Sequence, residues 1–435
     1  MIVMSYSINC EDYGLKLDVD IRDGKYRYSI ILPEVDTRER REIEKFLQKS
    51  DIKSILEILN SIPRNLRGYV IVNTFSNLIG PVFDNNVVSI RYSTNYRYVE
   101  HILAGNLILD PKPLKQDVIK LSSALQDIVG KSLTWRNPTV NTYIELFDRI
   151  CRVYLCRGDI DISRSWYIHL KFYRKIPRSI VDLIKQEFIT IDLATLLSTL
   201  VSYRGGPSIL VSGFSKSRKL ELIASLICFF PQNSTVAILQ EEPEINIEDI
   251  SSMYIESYYT RKVGIEEISI IDLMKNIIGR EYDKVIIDEI KDSEHIDMFL
   301  KVCEYCLQAL STINTKSVDL TLRKMLSDVD RDRVSLSNIK IIVEVSLPRE
   351  RPVVKRVYYV DILRNVREVV YDRVCGIKLD VLDKIFRDLS DMCGVEKSEV
   401  LMRYKVIESF LYECLKNNVV DFLTVREKFL ESLGY

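Results

Sequence analysis

Two short stretches carry residues whose types and spacing could do phosphate chemistry. In ILVSGFSKSRKLELI, Ile209 to Ile223, an apolar run reaches Gly213, a polar loop follows, and Lys219 opens a helical pattern. That is the layout of strand, GxxxxGK[ST] loop and helix, in which backbone N–H groups cradle phosphates, lysine supplies a point charge and a hydroxyl holds Mg²⁺. Gly213, Phe214, Ser215, Lys216, Ser217, Arg218, Lys219 and Leu220 are therefore the candidate nucleotide-binding positions. Two of them depart from the pattern. Arg218 stands where a second glycine would let the backbone approach phosphate without a Cβ, so a long side chain is expected beside the phosphates. Leu220 stands where Ser or Thr would ligate the metal, and an aliphatic chain cannot. Alone, the stretch reads either as an altered phosphate loop or as an ordinary strand–turn–helix. The second stretch is KVIIDEI, whose apolar run ends in Asp288 and Glu289, where a carboxylate could orient a metal-bound water. A third cluster, Cys303 and Cys306, lacks a second ligand pair at suitable spacing, so no metal site is expected there.

These residues need elements to hold them. A chain of 435 residues should form two or three domains, each with its own core. Its 61 basic and 62 acidic residues nearly cancel, which gives no general field for nucleic acid. Nine scattered cysteines fit reduced thiols better than a disulfide framework. No apolar run approaches the ~18 residues of a membrane span, and the first residues lack a signal pattern. A cytoplasmic protein is expected, with any membrane link through a partner, peripheral at the inner face of the cell membrane.

Along the chain, LKLDVDIRDGKYRYSIIL alternates apolar and polar residues about Asp23-Gly24 and predicts a hairpin. A helix with Ile43, Phe46 and Leu47 on one face is expected after Thr37. Short strands around a helix at KQDVIKLSSALQDIVGKSL follow, up to a boundary near Phe172 to Ser179. Strands and helices then alternate as in a parallel α/β sheet. Beyond about residue 366 the pattern turns helical, as a packed amphipathic bundle. The expected division is 1–60, hairpin and helix; 61–173, a mixed α+β (PAS-like) domain; 174–365, the α/β domain; and 366–435, a helical extension.

The order of the motifs resembles that of the type II/IV secretion ATPases, motors of pili, archaella and secretion systems, and most of all their archaeal branch. GFSKSRKL, LQEEPEI, IDEIKDSE and YCLQALSTINTKS follow one another as that family's phosphate loop, acidic box, acidic strand end and histidine box do. IPRSIVDLIKQEFIT resembles the segment that opens the motor domain, and YSIILPEVDTRERREIEKFL its entry segment. The resemblance covers roughly residues 25 to 365, and it implies a RecA-like P-loop domain behind a mixed N-terminal domain. It also implies ATP as ligand with Mg²⁺ in doubt, a hexameric ring of like or unlike subunits, and a polytopic platform protein as partner.

The same resemblance marks what is missing. Gln240 stands at the family's catalytic glutamate, with Glu241 at the aspartate, and an amide cannot take a proton from water. Glu289 matches the acidic-strand glutamate and is the one catalytic candidate, while Asp288 is an added charge. Leu307 and Asn314 occupy the two histidine positions, and Arg152 fits a residue that would reach a neighbour's γ-phosphate. The losses point to a degenerate ATPase with a structural or regulatory role. Two alternatives stay open: a residual ATP-hydrolysing motor using Lys219 and Glu289, and a monomeric interaction scaffold.

Overall fold

The computed structural model describes residues 4–31, 38, 41, 45, 78, 80–93, 97–102, 104–146, 149–158, 166–174, 176–215, 217–247, 250, 252–263, 266–327, 339–348, 351–361 and 366–434. The helix expected after Thr37 lies largely outside them, as does Lys216. The chain forms two compact units, Met1–Arg174 and Lys175–Tyr435.

Among the described residues, the first unit is a nine-stranded sheet with one long α-helix. Its strands are β1 (Met4–Cys10), β2 (Leu15–Arg22), β3 (Lys25–Ile31), β4 (Val87–Ser93), β5 (Arg97–His101), β6 (Gly105–Asp110), β7 (Thr139–Leu146), β8 (Arg149–Cys156) and β9 (Tyr167–Tyr173), with helix α1 at Lys115–Val129. The spatial order is β1-β2-β3-β6-β5-β4-β9-β8-β7. Asp23 and Gly24 both take positive φ, 51° and 73°, as the two-residue turn between β2 and β3 demands. Alternation then buries Leu15, Leu17, Val19 and Ile21 against Val118, Leu121 and Leu125 of α1.

The second unit is built on another nine-stranded sheet, with helices on both faces. In chain order it runs α2 (Ile180–Lys185), α3 (Ile191–Val201), β10 (Ser208–Gly213), α4 (Lys219–Leu226), β11 (Ser234–Gln240), β12 (Met253–Tyr259), a small hairpin of β13 (Arg261–Val263) and β14 (Glu266–Ile268), and α5 (Ile270–Ile277). Then come β15 (Lys284–Ile290), α6 (Ser293–Tyr305), β16 (Gln308–Asn314), α7 (Val318–Ser327), β17 (Ile339–Ser346), β18 (Val353–Asp361), β19 (Val366–Asp372) and β20 (Gly376–Ile377). Helices α8 (Leu379–Cys393), α9 (Lys397–Lys416) and α10 (Phe422–Ser432) close the chain.

The sheet order is β12-β11-β15-β16-β10-β17-β18-β19-β20, parallel from β12 to β17 and antiparallel beyond. Strand β16 therefore lies between the loop strand β10 and the acidic strand β15, the RecA-like order. Because β10 is covered on both faces it reads as a continuous apolar run. Ile209 and Val211 enter one core with α3 and α4, while Leu210 enters the other with α5 and α6.

The helical reading of 366–377 is corrected: β19 and β20 occupy it, and helices begin at Leu379. VREVVYD is rich in β-branched residues and finds an antiparallel partner in β18, which favours strand over helix. The helices α8 to α10 pack on the first core. Arg426 of α10, 2% exposed, donates to the carbonyls of Cys228 (3.1 Å) and Phe230 and to Ser252 Oγ (3.1 Å), closing the turn that follows α4. The Phe229 and Phe429 rings lie 4.7 Å apart, centroid to centroid. No helix among the described residues is long and apolar enough to cross a membrane.

Candidate functional site

The C-terminal ends of β10, β11, β15 and β16 bring Gly213, Lys219, Gln240, Asp288, Glu289 and Asn314 to one edge of the sheet. Ligand sites of open α/β sheets lie at such edges. Gly213 is required there by packing. A Cβ on it would stand 2.8 Å from both Ser217 Oγ and the Val345 carbonyl oxygen.

Arg218 keeps the backbone that its glycine counterpart would favour, with φ 62° and ψ 28°. Its side chain, however, does not lie toward Lys219 and the loop. It turns to Glu221, with Nε–Oε2 2.5 Å and Nη2–Oε1 3.0 Å, donates to Gln186 Oε1 at 2.9 Å, and stacks on Phe188 at 5.0 Å. Arg178 shares the Glu221 carboxylate at 2.8 Å. The expected intrusion of Arg218 beside the phosphates is thus corrected. A half-buried carboxylate one helical turn along, Glu221, draws the guanidinium away.

Lys219 is 8% exposed and donates to the Phe214 carbonyl and to Asn314 Oδ1, both at 2.7 Å. Burial lowers its pKa, while Glu289, Asp288 and Glu244 draw it back up. Ser217 Oγ also donates to the Phe214 carbonyl, at 2.7 Å. Phe214 itself is exposed at the loop tip. Leu220 is buried in the core with Leu222 and Ile223, so its side chain belongs to the packing and not to a metal shell. Ser215 is exposed beside Phe214.

Gln240 is 1% exposed, and both ends of its amide are engaged. Oε1 accepts from the Ile245 N–H at 2.8 Å, and Nε2 donates to the Ile245 carbonyl at 2.8 Å and to Ser257 Oγ at 3.1 Å. The side chain staples the loop after β11. Asp288 sits at a register irregularity of β15, accepts from the Glu241 N–H at 3.4 Å, and is pushed up to about 7 by burial, with Glu244 adding to the rise. Burial also raises Glu289, against the pull of Lys219 and Lys291. Lys291 pairs with Glu241.

The two positions read as histidine sites are not brought together: Leu307 precedes β16 and Asn314 ends it. Arg152 lies in the first unit, on β8, and donates to Asn141 Oδ1 at 2.9 Å. Among the described residues no cluster of three His, Cys, Asp or Glu side chains could hold a metal. Sequence reasoning missed Gln186, Glu221 and the partnership of Lys219 with Asn314. Glu221, three residues along a helix from Arg218, could have been found by spacing; the other two carried no local signal.

No family model matches the chain. A protein of Methanocaldococcus jannaschii described as uncharacterized is 27% identical over 150 residues, which cover 33% of this chain and 52% of that protein. The chain thus spans about half the length of the curated relative it matches. Among solved structures it is similar to the ATPase DotB of Legionella pneumophila, at 15% identity over 80% of this chain and 92% of that one, with TM-score 0.49. It is also similar to the pilus retraction motor PilT with bound ADP, at 15% identity over 79% and 93% of the two chains, TM-score 0.44. The VirB11 ATPase of the Brucella suis type IV secretion system, solved with sulphate, matches at 12% identity over 68% and 99%, TM-score 0.31. The second unit has the strand order of a RecA-like domain, and the solved proteins that the chain is similar to include a type IV secretion ATPase and a pilus retraction motor.

Proposed function

We propose that this chain is a member of the type II/IV secretion ATPase family that does not hydrolyse ATP, serving as a structural or regulatory subunit in assembly of an archaeal pilus, archaellum-like or secretion apparatus. The observation that carries the reading is Gln240. At the position the motif series assigns to the catalytic base stands a neutral amide whose oxygen and nitrogen are both spent on the main chain of Ile245. It has no basic lone pair to offer a water. Leu220 supports the same reading, since the side chain that would hold the metal is part of the apolar core.

In this role the sheet, the loop and the C-terminal helices supply a rigid body of family shape, and a ring of like or unlike subunits gains one interface held in a single state. A polytopic membrane platform protein is the proposed partner, which places the chain at the inner face of the cell membrane. The test is ATP turnover by the purified chain with Mg²⁺, alone and mixed with the products of neighbouring genes. No turnover above a Lys219→Ala control is expected. Mg²⁺-dependent turnover that this substitution abolishes would return the chain to the residual motor using Lys219 and Glu289.

A further inference from the structure

We propose that the loop between β10 and α4 fills its own anion seat: the Phe214 carbonyl oxygen and Asn314 Oδ1 serve Lys219 as phosphate oxygens would, and Asn314 is the positioning residue that keeps the loop closed. It rests on the preceding reading only for the assignment of the loop.

Three donors converge on one carbonyl. Lys219 Nζ and Ser217 Oγ each reach Phe214 O at 2.7 Å, and the Ser217 N–H reaches it at 3.3 Å. Donors aimed inward are what a phosphate loop offers an anion; here the loop's own carbonyl receives them. The remaining strong bond of Lys219 crosses to Asn314, the last residue of β16 and 95 positions away in sequence. The chain after Asn314 is tied back to the loop strand, because the Thr315 N–H donates to the Gly213 carbonyl at 3.2 Å. Thr315 Oγ1 and Thr321 Oγ1 both meet the buried Ser212 Oγ, at 2.6 and 2.9 Å. The acceptor is therefore presented by a braced segment.

Electrostatics favours the same closed state. Lys219 lies in the field of Glu289, Asp288 and Glu244, and whichever of these carboxyl groups is ionised would repel a polyanion brought in without its metal. Among the described residues of the loop, the other cation, Arg218, is committed to Glu221 and Gln186. An amide oxygen suits the post at 314, because it accepts from an ammonium and carries no charge to titrate.

The experiment uses the full chain, with inorganic tripolyphosphate and a fluorescent ATP analogue as probes, each with and without Mg²⁺. The wild type is expected to bind neither and to show no rise in melting temperature. Asn314→Ala should melt roughly 3–10 °C lower, since one bond to a charged donor is lost, and tripolyphosphate should then bind and recover part of the loss. Asn314→Asp keeps an acceptor, and should retain the wild-type melting temperature and exclude tripolyphosphate. Binding of either probe by the wild type overturns the proposal. So does an Asn314→Ala variant that loses stability without gaining tripolyphosphate binding, or one that changes in neither respect. Should Asn314→Ala fail to fold, the wild type and Asn314→Asp still decide. A wild type that binds but shows no turnover overturns this inference and leaves the preceding reading standing, whereas turnover overturns both.

Discussion

Replacing Arg218 by glycine would install the residue that a phosphate loop normally has at this position, and the structure says that the protein would lose stability by it. The gain is confined to the backbone. Arg218 sits at φ 62°, a conformation that costs an L-residue about 1–2 kcal/mol, but the added freedom of glycine in the unfolded chain returns about 0.5–1 kcal/mol of that. The loss is larger. The Glu221 pair is only 11% and 22% exposed and has two contacts, 2.5 and 3.0 Å; discounted for partial screening, it contributes roughly 1–2 kcal/mol. The bond to Gln186 and the stacking on Phe188 add about 1–2 kcal/mol together. Arg218→Gly should therefore destabilise by about 1–3 kcal/mol, or roughly 2–9 °C of melting temperature for a unit of this size. Urea unfolding of the full chain, read against Arg218→Lys and a double-mutant cycle with Glu221→Gln, measures it. Arg218→Lys should lose most of the same energy, because a lysine keeps the charge but not the fork or the flat stacking face. If Arg218→Gly proves as stable as the wild type or more so, the assignment of Arg218 as a structural tie is refuted.

Other expectations follow from the same kind of arithmetic. Lys284 is fully buried at the start of β15, donates to the Tyr203 carbonyl and Gln308 Oε1, and is pulled down to about 7 by burial. The unfolded lysine titrates near 10.4, so between these values the unfolded chain binds more protons and stability rises with pH. Unfolding free energies of wild type and Lys284→Met from urea titrations, between neutral pH and the pH of lysine titration, should diverge by on the order of 2–4 kcal/mol, the variant lacking the rise; equal slopes would contradict the burial. Gln240→Glu should not restore turnover, and it should cost about 1–3 kcal/mol by leaving the Ile245 carbonyl without its donor and burying a carboxylate. Arg426→Met should cost about 2–5 kcal/mol, because the buried carbonyls at Cys228 and Phe230 each lose a partner. Limited proteolysis should then cut near α10 first, and an unchanged cleavage pattern would argue against its role in fastening the C-terminal helices.

Local chemistry wrote much of the fold into the chain. Asp23-Gly24 sets a turn that only small or left-handed-tolerant residues make, and the alternation on either side fixes the register of β2 and β3. The continuous apolar run of β10 could lie only between neighbours on both faces, and Gly213 had to be small because β17 passes close behind it. The misread stretch was 366–377, where a strand pattern is short enough to pass for the start of a helix, and pairing with β18 decided it.

What the sequence by itself determined is the order of the parts along the chain: an apolar run into Gly213, a polar loop reaching Lys219, and a later apolar run ending in Asp288 and Glu289. Those follow from residue type and near spacing. Only the tertiary structure decided what the loop's side chains do. Arg218 turns to Gln186, 32 residues back, and Lys219 is held by Asn314, 95 residues on. Such partners meet because the sheet order places β16 beside β10, and a strand order is set by the burial of whole faces rather than by any single residue along the chain.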